Sequence, residues 1–438
     1  MVSLGFFMVV MDVTIVNVAL PSIKMALSTS ITGLEWVVDG YTLTFAAFLL
    51  LAGSLGGACN TKRIFQLGLV IFSLTSLGCG LSNSIYSLTI LRVFQGVGAA
   101  FILPNSLNLI NRLASDEAER TKLIGIWAAI GGLAAAIGPI IGGILTELIS
   151  WRSVFLVNVP LGIICLIFIE KTIPEVYSQS KRINIDLSGQ ILAIFAIASL
   201  AFALIGVSDY GWLSTRSLIY SSIFILLLSA FIYSQHKVSF PMFPIQLFKS
   251  KHFSIAMVIG LIMNITFYGE LFILPLYFHQ IMGLSIANTG FALMPLMLVT
   301  GISSYFSSKL IHSMSAELLI INGFLIGILG FMSLFIAIFF QATYVVFILP
   351  LTMIGFSISF IMPAATITTL ASVTDSYHGL ASGAFNMARQ VGSLMGVALF
   401  GSVLASMMNF SLGVEVTIII SCALFLVGLI SSFYLRLN

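Results

Sequence analysis

Residues 2–21 read VSLGFFMVVMDVTIVNVALP, a run in which Asp12 is the one charge and whose length is enough to cross the ~30 Å hydrocarbon layer of a bilayer as a helix. No basic segment precedes the run and no small-x-small site follows Pro21, so it reads as a retained helix rather than a cleaved leader. Outward from that first run, near 2–22, the pattern repeats. Comparable runs lie near 36–57, 64–82, 86–110, 122–146 and 152–170, then near 187–207, 216–235, 252–278, 287–307, 316–338, 343–368, 379–406 and 414–436. The chain has 438 residues, 59% of them hydrophobic and 8% charged, where a soluble domain carries about 25% charge. We therefore expect an all-α integral membrane protein of about fourteen transmembrane helices, whose business is movement across a bilayer.

Composition also excludes. The formal charge of +3 comes from 18 basic and 15 acidic residues scattered along the chain, too little for a nucleic-acid surface. Cys59, Cys79, Cys165 and Cys422 have neither disulfide nor metal-ligand spacing, so no metal and no cofactor are expected. The sequence offers no nucleophile, base and orienting acid for hydrolysis and no phosphate-binding loop for ATP, so the chain does not read as an enzyme.

The longest internal polar stretch is KTIPEVYSQSKRINID, 171–186, which reads as a cytoplasmic linker. It divides the chain into a six-helix bundle over 1–170, two inserted helices over 187–235 and a second six-helix bundle over 236–438, an arrangement typical of carriers built from repeated halves. Orientation follows from lysine and arginine. With the amino terminus inside, thirteen of the eighteen fall in inner loops and the tail, three (Lys24, Arg152 and Arg216) fall outside, and both termini are cytoplasmic.

A charge within a span costs about 3 kcal/mol or more, so each one is a functional candidate. Asp12 lies ~15 Å into the first helix, near the midplane, where a carboxylate must pair with a cation or carry a proton. Arg92, in LRVFQGVGAAFILPNS, sits ~9 Å below the outer surface and is able to hold a neighbouring carboxylate charged, which suits proton coupling. Asp39, in LEWVVDGYTL, is a shallow acid reached by water and a candidate for binding a cation, whereas Glu35 beside it reads as a loop or cap residue. Glu270, in FYGELFILPLYF, lies in the outer half with Phe267, Tyr268 and Phe272 around it in sequence, the makings of a pocket for a lipophilic cation. In GGLAAAIGPIIGG, 131–143, Ala134, Gly138 and Gly142 form a small-residue stripe interrupted by Pro139, a close-packing and bending element. Arg389, in SGAFNMARQVGSLMGVAL, is a mid-span charge that faces the bundle interior.

These stretches resemble the major facilitator superfamily, specifically its fourteen-helix drug/proton antiporter branch. MDVTIVNVALP (11–21) is similar to the branch's first-helix signature, and WVVDGYTL (36–43) to the stretch of cationic-drug exporters with an acid at the position of Asp39. LRVFQGVGAA (91–100) looks like the fourth-helix motif whose arginine serves proton transfer, and GGLAAAIGPIIGG like the fifth-helix antiporter motif. One stretch departs. The family's GxLaDrxGrk loop here reads GSLGGACNTKR (53–63), with Gly57 in place of the aspartate and Asn60 in place of the second glycine, which leaves the latch formed by that acid in doubt.

The resemblance implies two six-helix bundles plus two inserted helices, in the cytoplasmic (inner) membrane. It implies a proton-coupled secondary exporter of amphipathic, cationic or lipophilic drugs working by alternating access, as a monomer in the bilayer, with protons and a small molecule as its partners. Asp12 and Arg92 would couple the proton. Asp39, Glu270, Phe267, Tyr268 and Phe272 would meet the substrate, and Gly138, Pro139, Gly142 and Arg389 would serve the conformational change. Export of a single metabolite, with a periplasmic adaptor protein, and a receptor or assembly subunit that never cycles remain as alternatives.

Overall fold

A computed structural model describes residues 2–175, 186–238, 240–243, 245–310, 314–374 and 377–436, side chains at 57–58, 304–306 and 308–309 excepted. The secondary structure of these residues is helical throughout: α1 (Val2–Ala26), α2 (Ile31–Ala58), α3 (Thr61–Leu81), α4 (Ile85–Leu113), α5 (Glu117–Leu148), α6 (Ser153–Leu156), α7 (Asn158–Thr172), α8 (Leu187–Tyr210) and α9 (Thr215–Lys237). After a short 3₁₀ turn at Ile245–Lys249 come α10 (Lys251–Gln280), α11 (Ile286–Ala292), α12 (Met294–Leu310), α13 (Ala316–Phe339), α14 (Tyr344–Ala371), α15 (His378–Ser406) and α16 (Phe410–Arg436). Among the described residues fourteen stretches are long and apolar enough to cross a membrane, with α6–α7 and α11–α12 each forming one. The two breaks have a common cause. Pro160 and Pro295 stand just after them and lack the N–H that would bond back across the junction.

Hydroxyl, amide and carboxylate caps start most of the helices. Ser30, Asn60, Ser84, Asp116, Asp186, Ser214, Ser250, Ser285 and Ser315 each accept from a backbone N–H three residues on, which satisfies donors that a bilayer could not. Of the expected linker, 176–185 lie outside the described residues, and with them Lys181 and Arg182.

An even number of spans puts both ends of the chain on one side, here the terminal side. On the opposite side α5 meets α11 closely. Glu147 accepts the Ala287 N–H at 2.7 Å, Gly290 lies against the Pro139 carbonyl, and a methyl on Gly143 would stand 2.8 Å from the Ile286 carbonyl. Toward the terminal side the first turns of α5, residues 117–122, are exposed, and Gly125 has nothing within 4 Å of an added methyl. The glycine-rich stripe therefore has two faces. Gly138 packs on Thr14 and Met11, and a methyl on Gly142 would be 2.7 Å from the Ile15 carbonyl, so Gly138 and Gly142 seat α5 on α1, whereas Gly132, Pro139 and Gly143 face α11 and α12.

Of the helices read as inserted, α8 packs on α2 and α15, with Leu43, Ala46, Ala47, Ile197, Leu200, Leu394 and Ala398 in one cluster. α9 packs on α8 and exposes most of its apolar surface.

Candidate functional site

Asp12 is fully buried, and three donors converge on it. Arg92 Nη1 reaches Asp12 Oδ2 at 2.5 Å, while Gln95 Nε2 and Asn158 Nδ2 both donate to Asp12 Oδ1 at 3.0 Å. Gln95 and Asn158 also donate to Ser76 Oγ, each at 3.1 Å, and Ser76 donates to the Phe155 carbonyl at 2.8 Å. Arg92 is bound from every side. Its Nε donates to the Val37 carbonyl at 3.0 Å, its Nη1 also reaches Gln95 Oε1 at 3.0 Å, and its guanidinium carbon lies 4.3 Å from the centre of the Tyr41 ring. Three donors, one of them a guanidinium, face the carboxylate, which makes the cage complementary to a negative charge.

By helical rise Asp12 is ~15 Å from one end of α1 and Arg92 ~10 Å from the other end of α4, yet the two touch. The long arginine side chain and the tilt of the helices close the gap. Gln95, Asn158 and Ser76 were missed by sequence reasoning. Gln95 had a signal, since three residues after Arg92 on a helix it shares that face; Asn158 and Ser76 carried nothing beyond polarity in an apolar run.

The remaining acids differ. Asp39 was expected to be shallow and wetted, but it is wholly buried and neither oxygen has a donor among the described residues. Glu35 is not a loop or cap residue: Ser30 caps α2, and Glu35 lies inside the helix, fully buried, with its carboxylate against the Ser208 hydroxyl of α8 at 3.2 and 3.3 Å. Glu270 accepts from Ser421 of α16 at 2.9 Å, and its second oxygen has no donor among the described residues.

The pocket drawn from the neighbours of Glu270 is not assembled. At 100° per residue, Tyr268 and Phe272 project from the side of α10 opposite Glu270, and only Phe267 shares its side. Phe272 is fully buried in the apolar core; Phe267 and Tyr268 are partly buried and stack edge to face at 5.0 Å. Tyr268 lies within electrostatic reach of both Arg389 and Tyr41.

Arg389 is partly buried, donates to Asn386 Oδ1 of its own helix at 3.2 Å, and has no carboxylate within 4.0 Å among the described residues. Its Nε is buried without an acceptor among those residues. In the degenerate loop Asn60 caps α3, Lys62 pairs with Glu170 at 2.9 Å and Arg63 with Glu175 at 3.2 Å, so the basic half of that motif contacts acids at and beyond the end of α7.

The chain belongs to the Major Facilitator Superfamily, whose family model matches residues 2–397. It is 34% identical to a methylenomycin A resistance protein of Bacillus subtilis, over 92% of this chain and 86% of that one. It is 31% identical to the multidrug resistance protein Stp of Mycobacterium tuberculosis, over 94% of this chain and 76% of that one. Its fold is similar to that of a bacterial homologue of the human lysosomal transporter Spinster, in an inward-facing and occupied conformation, at a TM-score of 0.72, 14% identity and coverage of 99% and 95% of the two chains. A D-xylose–proton symporter gives a TM-score of 0.71 at 14% identity, over 99% and 95%. The protein is thus a multi-pass membrane transport protein of the major facilitator fold acting on small molecules, and not an enzyme.

Proposed function

We propose that this protein is a proton-coupled exporter of drugs, working by alternating access in the cytoplasmic membrane as a monomer. The observation that carries the proposal is the buried cage of Asp12, Arg92, Gln95, Asn158 and Ser76, in which one carboxylate joins α1, α4, α7 and, through Ser76, α3. Protonating Asp12 removes the charge that these donors are arranged around and releases Arg92, so proton binding and helix rearrangement become one event. A buried ion pair is expensive to desolvate, and a static scaffold gains nothing from one at this depth.

Both termini are assigned to the cytoplasm from the distribution of lysine and arginine, which makes the described conformation inward-facing, with the outer side sealed where α5 meets α11. The chain is read as two six-helix bundles with α8 and α9 inserted between them. The names of the relatives support drug export, and the unpartnered carboxylate oxygens of Asp39 and Glu270 suit cationic amphipathic compounds, with Phe267 and Tyr268 as ring surfaces. Export of a single compound is the second reading, favoured by relatives named for resistance to methylenomycin A and to tetracenomycin C.

The test is a pump-deficient host expressing the chain, challenged with dyes, cationic drugs and methylenomycin A, with and without a protonophore, together with inside-out vesicles carrying a pH probe. Protonophore-sensitive efflux and substrate-induced proton release are expected. Efflux indifferent to the proton gradient would sink the coupling.

A further inference from the structure

Near the outer end of the molecule α2, α8 and α15 meet at a polar junction that the cage of Asp12 does not include. Glu35 supplies the acid, Ser208 and Ser402 supply hydroxyls, and the groups line up. Ser402 Oγ donates to the Leu204 carbonyl at 2.8 Å, which uses its only proton, so toward Ser208, 3.1 Å away, it is able only to accept. Ser208 likewise has one proton, and it lies within reach of both Ser402 and the carboxylate of Glu35.

Two proton inventories are possible. With Glu35 ionised, the Ser208 proton turns to the carboxylate, the Ser402 lone pair goes unmet, and a fully buried charge is left with one neutral donor. With Glu35 protonated, Glu35 donates to Ser208, Ser208 to Ser402 and Ser402 to the Leu204 carbonyl, a one-way chain in which each hydroxyl proton has an acceptor. Gly401 presses directly on the carboxylate, where any side chain on α15 would collide with Glu35 Oε1. The charges around the junction do not favour the ionised form. Asp39 stands one turn along the same helix, buried and without a donor; Asp209 of α8 accepts from Thr32 at 2.9 Å; the Arg92 guanidinium from α4 is committed to Asp12; the Arg216 guanidinium of α9 lies over Tyr210; and Lys24 at the end of α1 makes no ion pair with Glu35. α15 brings Gly401 and Ser402 to the junction and no charge.

We propose that Glu35 is a second proton-binding site, a gating acid that carries a proton whenever the outer side is closed and returns it to the outer water when α2, α8 and α15 part there. The proton is neither transported nor shared with Asp12; it closes the outer gate from the side where it was taken up. The proposal rests on the alternating-access reading. Because the closed form binds one more proton than the open form, closure is favoured as the outer pH falls and weakens as it rises.

The experiment is a distance measurement in nanodiscs without substrate. Spin labels are placed at Met25 and Met408, both exposed on the outer side, in the full chain with Cys59, Cys79, Cys165 and Cys422 replaced by serine. The parent is expected to hold a short distance at pH 5.5 and to populate a longer one by pH 8.5. Glu35→Gln, which keeps a donor toward Ser208 and cannot ionise, is expected to hold the short distance throughout. Ser208→Ala removes the acceptor of the Glu35 proton and is expected to move the midpoint of opening to lower pH by about one unit. A parent distance that ignores pH, a Glu35→Gln variant that still opens like its parent, or a Ser208→Ala midpoint that stays or moves to higher pH overturns the proposal. These distances need no transport. Vesicles lacking substrate-induced proton release would refute the exporter reading without touching them.

Discussion

Each half of the chain holds a mid-span arginine on a long glycine-bearing helix, Arg92 on α4 and Arg389 on α15, and their surroundings differ. Arg92 is almost inaccessible and is tied to Asp12, Gln95, Val37 and the Tyr41 ring; Arg389 keeps one bond, to Asn386 of its own helix, and meets no carboxylate among the described residues. A charge that spans a membrane thus has two modes of survival, neutralisation by a partner or a position partly open to the space between helices. Only the first offers a carboxylate for the proton coupling proposed above.

The largest expected effects fall on the paired half. Arg92→Ala leaves the Asp12 carboxylate buried without its cation, which should cost about 3–5 kcal/mol of stability and abolish uphill efflux. Asp12→Asn should also abolish uphill efflux while downhill exchange continues. The double variant should regain most of the lost thermal stability, since neither charge is stranded, and still fail to pump. Thermal unfolding in detergent and dye efflux at matched expression check both parts, and protonophore-sensitive efflux by Arg92→Ala would remove the pair from the mechanism.

The second contrast lies within α5. Gly138→Leu drives a side chain into Thr14 and Met11 of α1, next to Asp12, and should prevent accumulation of folded protein. Gly143→Leu acts on the contact of α5 with Ile286 and Ala287 of α11, so it should fold, bind substrate and turn over at least tenfold more slowly. Size-exclusion profiles and binding measured beside transport separate the two. Equal behaviour of both variants would mean that the faces of α5 do not divide the work.

What was legible in the chain follows the same line. Helix number was readable because apolar length is a one-dimensional property, but the ends slipped by up to five residues, as at α2, expected from 36 and starting at Ile31. The two breaks before Pro160 and Pro295 show what remained once a missing N–H entered. Asp12 and Arg92 were readable because a charge in an apolar run is conspicuous; Asn158 and Ser76 were not, since a lone amide or hydroxyl acquires its meaning from helices 146 and 82 positions away in sequence. The aromatic pocket around Glu270 failed for a geometric reason: Tyr268 and Phe272 are two positions away in sequence, which is near-opposition on a helix. Glu35 was misjudged because nearness to a helix start suggested a cap, while the helices that bury it come far later in the chain.

A smaller effect belongs to Glu270. Its carboxylate keeps one bond to Ser421 and has a free oxygen, so Glu270→Gln retains the contact and loses only charge. Efflux of cationic compounds should fall by about tenfold, near the worth of one partly desolvated charge contact, while a neutral aromatic compound is exported normally. Equal loss for both compounds would recast Glu270 as a packing residue.

The smallest effect should come from Arg389, and it bears most directly on the contrast between the halves. Arg389→Gln removes a guanidinium that pairs with no carboxylate among the described residues, so no opposing charge is stranded; the loss comprises one bond to Asn386 and a contact 6.0 Å above the Phe385 ring, together about 1 kcal/mol. The buried Nε, which has no acceptor, should offset part of that, because an unmet donor is itself a cost that the shorter amide relieves. Unfolding temperature should therefore change little, and any transport defect should appear without a stability defect. Arg92→Ala does the reverse, losing stability and pumping together. If Arg389→Gln destabilised the protein as severely as Arg92→Ala, the second arginine would have a carboxylate partner after all, and the two halves would neutralise their buried charge in the same way.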